Sequence, residues 1–329
     1  MPFLQSRRFL LSSLMVAMGL TVPLAPVWAQ SFPTKPVRIV IGFPPGGGID
    51  IVARTIAPKL SEALGQPVII DNKPGVAGVL GTNLVAKAPA DGHTIFFGTT
   101  GNISINPVFM PNLPFNMDKD FTPLMLVASL PFLVYAHPSV PVKNLTELVA
   151  YAKSNPGKIN FYSSGNGGLP HLTGELLNNV AGIQTVHIAY KGSAPGMNDL
   201  IGGQVQLGYD TVAIGLQHIK TGRLRALATT GPKRLAILPD VPSTSEFASG
   251  LEAVNWYGMV VPAGTPRDVI LRLNREITKV LEMPDIKEKL VSQGIDPAAN
   301  SPEEFGEFMK SEAAKWARVI RAANIKPDS

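Results

Sequence analysis

The chain has 329 residues, room for about two domains, with 45% hydrophobic and only 16% charged residues. Its formal charge is +5, yet no Lys/Arg run is long enough for a nucleic-acid patch, so nucleic acid is not an expected partner. It has no cysteine, which excludes disulfides, thiolate metal sites, Fe–S clusters and a cysteine nucleophile.

Residues 1–29 read as a signal peptide: Arg7 and Arg8, an apolar stretch from Phe9 to Leu24 broken by Pro23, then Val27-Trp28-Ala29. That stretch is short of the ~20 apolar residues a spanning helix needs, so cleavage after Ala29 is expected. The product is then free in a bacterial periplasm, as a monomer.

Val37-Arg38-Ile39-Val40-Ile41 is strand-like and runs into Phe43-Pro44-Pro45-Gly46-Gly47-Gly48; helical spacing follows from Asp50 to Leu64. Pro67 to Ile70 is a strand, Val79 to Ala86 a helix, and Thr94 to Phe97 a strand leading to Gly98-Thr99-Thr100-Gly101-Asn102. Met125 to Ala136 is apolar and extended, a crossing segment.

The rhythm then restarts. Leu145 to Ser154 reads as a helix, Lys158 to Tyr162 as a strand, Ser163 to Leu169 as a glycine loop and Pro170 to Val180 as a helix. Val186 to Tyr190, Val205 to Tyr209 and Leu224 to Thr229 are strands, with a helix from Pro195 to Ile201. Val254 to Val261 crosses back, and helices follow over Arg267 to Leu281, Asp285 to Gln293 and Pro302 to Ala323. The expected fold is α/β and two-lobed, each lobe a mostly parallel sheet flanked by helices with a ligand cleft between. Residues 30–130 and 254–329 form one lobe, and 131–253 the other.

Two glycine loops, Phe43–Gly48 and Ser163–Gly168, join strands to helix starts, where backbone N–H groups and the helix dipole favour an anion. The first lacks the Lys and Ser/Thr of a P-loop, since Gly48 and Ile49 follow Gly47. The second lacks the third glycine of a dinucleotide fingerprint, where Pro170 stands. It is no nucleophile elbow either, because Phe161 or Tyr162 occupies the position of the first glycine. None of the five histidines are four residues apart, so no His-x-x-x-His metal face exists. His171 is assigned to packing or hydrogen bonding at its loop. Asp210 either meets the cleft from a strand end or caps the helix that follows.

Taken in order, Phe43-Pro44-Pro45-Gly46-Gly47-Gly48-x-Asp50, Asn72-Lys73-Pro74-Gly75 with Gly78 and Gly81, and Pro89-Ala90-Asp91-Gly92-His93-Thr94 form one set. Ser164-Gly165-Asn166-Gly167 with His171-Leu172, Tyr190-Lys191-Gly192, Gly202-Gly203-Gln204-Val205 and Asp210 form a second. Together they resemble the extracytoplasmic solute receptors of tripartite tricarboxylate transporters, the TctC or Bug family. The resemblance implies a Venus-flytrap receptor for a small organic carboxylate, not an enzyme, without cofactor or metal. It implies hand-over to a permease of one large and one small membrane subunit; a sensory adaptor for a membrane signalling protein is the alternative, and a serine hydrolase a weaker one.

The ligand-binding positions so implied are Phe43, Pro45, Gly46, Gly47, Gly48, Thr99, Thr100, Ser163, Ser164, Gly165, Asn166, Gly167, Gly168, His171 and Asp210. Ile49 and Leu169 stand where hydroxylic residues are frequent in the family. A carboxylate with an aliphatic or aromatic body is therefore expected to bind better than citrate.

Overall fold

The computed structural model describes residues 32–327 with the exception of Lys191. The signal peptide over 1–29, its cleavage point after Ala29, and Lys191 of the second-lobe motif lie outside those residues.

The first βαβαβ unit is β1 (Val37–Ile41), α1 (Gly48–Leu64), β2 (Val68–Asn72), α2 (Val79–Ala86) and β3 (Thr94–Thr99). Residue alternation along β1 explains its two-sided burial. Val37, Ile39 and Ile41 join the core under α1, with Val52, Ile56 and Leu60, while Val40 faces Phe96 and Val260 on the opposite side. A π-helical turn (Gly101–Ile105), α3 (Asn106–Phe109) and α4 (Met117–Asp120) follow, over a stretch where no element is expected from the sequence.

β4 (Phe121–Ala136) is one long strand with two sets of partners. The second unit is α5 (Leu145–Ser154), β5 (Asn160–Ser163), α6 (Leu169–Ala181), β6 (Val186–Ala189), α7 (Ser193–Ile201), β7 (Leu207–Thr211), α8 (Val212–Lys220) and β8 (Arg225–Thr229). The return comprises β9 (Val254–Pro262), α9 (Arg267–Glu282), α10 (Pro284–Val291), the short β10 (Asp296–Pro297) and α11 (Pro302–Ala322).

Strand order is β2-β1-β3-β9-β4-β7-β5-β6, with β8 and β10 also paired to β4. Within each βαβ core the strands are parallel, as helical crossover connections allow, whereas β4 and β9 run antiparallel to their neighbours. β4 pairs with β9 over Phe121–Pro131 and with β7 over Phe132–Ala136, so the change of lobe falls inside one strand.

α11 begins with a Ser301–Glu304 capping box and Pro302 in the first turn. Its Phe305 and Met309 pack in the first-lobe core with Trp256, and its Trp316, Val319 and Ile320 pack in the second-lobe core with Phe161 and Leu172. The C-terminal helix therefore touches both lobes. Among the described residues no helix is long and apolar enough to cross a membrane.

Candidate functional site

A cleft of about 950 Å³ opens between the lobes at the carboxyl ends of the parallel strands, the place where α/β sheets hold ligands. Four helices of nine or more residues begin at its wall: α1 with Gly48, α6 with Leu169 and Pro170, α7 with Ser193, and α8 with Val212 and Ala213. None of the four has a side-chain cap; the cap residues are Gly47, Gly168, Gly192 and Thr211. First-turn N–H groups have no acceptor inside their own helix, so four sets of donors and four positive dipole ends converge on one space. No lysine or arginine is among the described lining residues. The arrangement attracts an anion through backbone rather than side-chain charge.

The first-lobe loop is braced from behind. Asp50 is 2% exposed; its Oδ2 accepts from the Gly46 N–H (2.9 Å) and Arg54 Nε (2.9 Å), and its Oδ1 from Asn72 Nδ2 (3.1 Å). Asn72 Nδ2 also donates to the Phe43 carbonyl (3.0 Å). Burial pushes the Asp50 carboxyl up, but Arg54, the Gly46 N–H and Asn72 outweigh it and hold the pKa below the ordinary value. Gly42 lies against Gly78, where a Cβ on Gly42 would stand 2.7 Å from the Gly78 Cα; Gly78 itself has φ 79°, and a Cβ there would stand 2.4 Å from Asn102 Nδ2. Next to it Ala77, at the cleft wall with φ 46°, is held in the left-handed region by Asn102 Nδ2 (2.6 Å) and Asn106 Nδ2 (3.0 Å) on its carbonyl.

The second-lobe loop is held by two histidines. His171 and His187 stack with ring centroids 3.5 Å apart. His171 Nδ1 accepts the Gly167 N–H (3.0 Å), and His187 Nε2 lies 2.6 Å from Ser163 Oγ, which also bonds the Gly165 carbonyl (2.9 Å). Burial pushes the His187 pKa down to about 4 and raises that of nearby Glu175. The Ser163–His187 pair has the contact distance of a nucleophile and its base. However, Ser163 has no solvent exposure and its oxygen is spent on the loop, so it braces Gly165 and cannot attack a substrate.

These bonds change the donor list expected from the two loops. The N–H groups of Gly46, Gly165, Gly167 and Gly168 are engaged with Asp50, Ser163, His171 and the Gly165 carbonyl. The helix first turns are left as the main backbone donors.

Of the expected positions, Phe43, Gly46, Gly48, Thr99, Ser164, Gly165, Asn166, Gly167, Gly168 and Asp210 line the cleft. Pro45, Gly47, Thr100, Ser163 and His171 do not. Thr100 is fully buried with its hydroxyl accepting from the Trp256 N–H (2.9 Å), and Pro45 and Gly47 are exposed but do not line the cleft. Asp210 is 4% exposed; it accepts from the Thr211 N–H (2.8 Å) and the Tyr162 hydroxyl (3.2 Å), while burial raises its pKa against these donors and Ser193. Thr211 is the cap residue of α8, so the capping alternative for Asp210 is not what the chain adopts.

Ile49 is corrected outright. It is 3% exposed and packs with Ile41, Val52 and Ile56 inside the first lobe; two residues on, a 200° turn of the helix puts Ile51 on the cleft instead. Leu169 belongs to the second-lobe core and also contributes to the lining. Sequence reasoning missed Asn102, Asn106 and Phe109 of the π-turn and α3, and the first turns of α7 and α8. The signal for the last two was present in Gly192-Ser193 and Thr211-Val212, each within a few residues of the end of a strand-like run.

Residues 52–325 match the family described as "Tripartite tricarboxylate transporter family receptor". A protein from the tcbD-tcbE intergenic region of Pseudomonas sp. strain P51 is 41% identical over 88% of this chain and 87% of its own. The Rpa4515 protein of R. palustris, solved with adipate, is 34% identical with a TM-score of 0.77, covering 90% of this chain and 100% of that one. MatC from Rhodopseudomonas palustris, solved with malate, is 29% identical with a TM-score of 0.73, covering 88% of this chain and 100% of that one.

Proposed function

The chain belongs to the tripartite tricarboxylate transporter receptor family, and from that membership we propose that its cleft captures a small organic carboxylate for delivery to a tripartite-type membrane permease. It is a periplasmic solute receptor and not an enzyme. The observation that carries the carboxylate reading is the convergence of four uncapped helix starts on a cleft whose described lining holds no lysine or arginine. The adipate and malate held by two relatives are ligands of the same chemistry.

We assign direct contact to the first turns of α1, α6, α7 and α8, with Thr99, Ser164, Asn166 and Asp210 around them. Pro45, Gly47, Thr100, Ser163 and His171 are assigned to support of the loops. The first lobe is taken as residues 30–130 with 254–329, the second as 131–253, and α11 as a strut on both. Cleavage after Ala29 is the finer reading of the periplasmic address; the intact mass of the exported chain should begin at Gln30, and a mass retaining 1–29 refutes it.

A cleft of about 950 Å³ stands at the upper end of the ~300–1,000 Å³ range of ligand pockets, far more than a small acid fills, so binding should close the lobes. Small-angle scattering should show compaction with a saturating acid. Thermal unfolding should show stabilisation of ~2.7 kcal/mol at a hundred times the Kd. Stabilisation without compaction would leave binding intact and refute closure; neither effect with any carboxylate refutes the function.

A further inference from the structure

Away from the helix starts the cleft wall is apolar, and part of it is exposed. Ile51 on α1, Ile214 on α8 and Ile237 after β8 all line the cleft at 37%, 38% and 39% exposure. Exposed large aliphatic side chains ordinarily lie singly over a surface; here three meet at one cavity, which is the pattern of an apolar surface awaiting cover. Phe109, Met110 and Phe132 continue the same wall inward. Ile51 comes from one lobe and Ile214 from the other, each in the first turn of its helix, so both lobes contribute an exposed isoleucine to the one cleft.

The chemistry of the wall sorts acids. Hydroxyl groups or a further carboxylate turned towards Ile51, Ile214 or Phe109 would lose water without gaining a donor, whereas a ring or alkyl chain there is removed from water to advantage.

Resting on the carboxylate reading above, we infer that the solute is an acid with an apolar aryl or alkyl body, and that Ile51 and Ile214 select it. The carboxylate lies at the helix starts and the body lies between the two isoleucines.

Calorimetry of the full mature chain with benzoate, 3-phenylpropionate, hexanoate, succinate, malate and citrate tests this. The best apolar-bodied acid should bind at least about tenfold tighter than malate or citrate, the size of effect that burying two or so methylene groups gives. Ile51→Ser and Ile214→Ser should each narrow that preference ratio severalfold. An order led by malate or citrate, or serine variants that leave the ratio unchanged, overturns this inference while the carboxylate reading stands. Binding of none of the six, by a chain that melts cooperatively, overturns both.

Discussion

Gly167→Val should cost about a hundredfold in carboxylate affinity, the largest binding loss expected from a single substitution at the loops. Gly167 sits at φ 69°, where an L side chain is strained, and its Cβ would stand 2.1 Å from Cε1 of Phe109. Strain of this kind costs ~1–3 kcal/mol, and either the loop or the aromatic ring has to leave its place. Both are cleft wall, so the acceptor geometry presented to the ligand changes with them. Gly165→Val should be milder: its φ of 148° is also unfavourable, but the nearest atom to a new Cβ is the Tyr190 carbonyl at 4.0 Å. Calorimetry on variants that keep a cooperative melt measures both, and parental affinity in Gly167→Val would show that the loop is not part of the binding surface.

Acid should act on the same loop. His171 Nδ1 accepts the Gly167 N–H, and His187 stacks on the His171 ring, so the second histidine supports the same loop. His187 is held neutral in the folded chain down to about pH 4, against 6.5 when unfolded. The unfolded chain therefore binds the extra proton first. Stability from this histidine is complete above pH 6.5 and is lost as the pH falls towards about 4. The raised carboxyl of Glu175 works in the opposite sense, so the comparison is with His187→Gln, in which the histidine term is gone and the rest remains. A parent and variant with parallel stability profiles between pH 6.5 and 4 would remove His187 from this role.

The parts of the fold that the sequence displayed are those where burial follows a simple period. Val37 to Ile41 alternates between two core faces, and Leu145, Leu148, Val149 and Ala152 repeat at helical spacing over Leu145–Ser154, so element type and bounds could both be read. The Gly101–Phe109 stretch could not, because Gly101, Asn102, Ser104, Asn106 and Pro107 look like loop chemistry. Its helical form depends on distant partners: Asn102 and Asn106 on the Ala77 carbonyl, and Ser104 Oγ on the Met309 carbonyl (3.4 Å). The site divides the same way. Glycine loops after strands announced an anion, but which N–H groups remained for it depended on His171, Asp50 and Ser163 folding back onto those loops. The inward turn of Ile49 and the outward turn of Ile51 needed the helix phase, which a single residue type does not carry.

Glu312→Leu should destabilise the fold by about 3 kcal/mol, whereas Glu312→Gln should cost ~1 kcal/mol or less. Glu312 is 6% exposed on α11, and its Oε2 accepts both the Trp256 and the Trp316 indole N–H, each at 3.1 Å. Trp256 belongs to the crossing strand β9 and the first-lobe core, and Trp316 to the second-lobe core, so one oxygen ties the two lobes beside the crossing point. Leucine fills similar space but leaves two buried donors without an acceptor, at ~1–3 kcal/mol each. Glutamine can place its carbonyl where Oε2 stands and keep both bonds, losing the charge and the Oε1 acceptor that face Lys315, whose side chain is 22% exposed and can turn to water. Denaturant unfolding of parent and both variants measures the order. Equal losses for leucine and glutamine would mean that the ion pair with Lys315, and not the shared acceptor, holds α11 across the lobes.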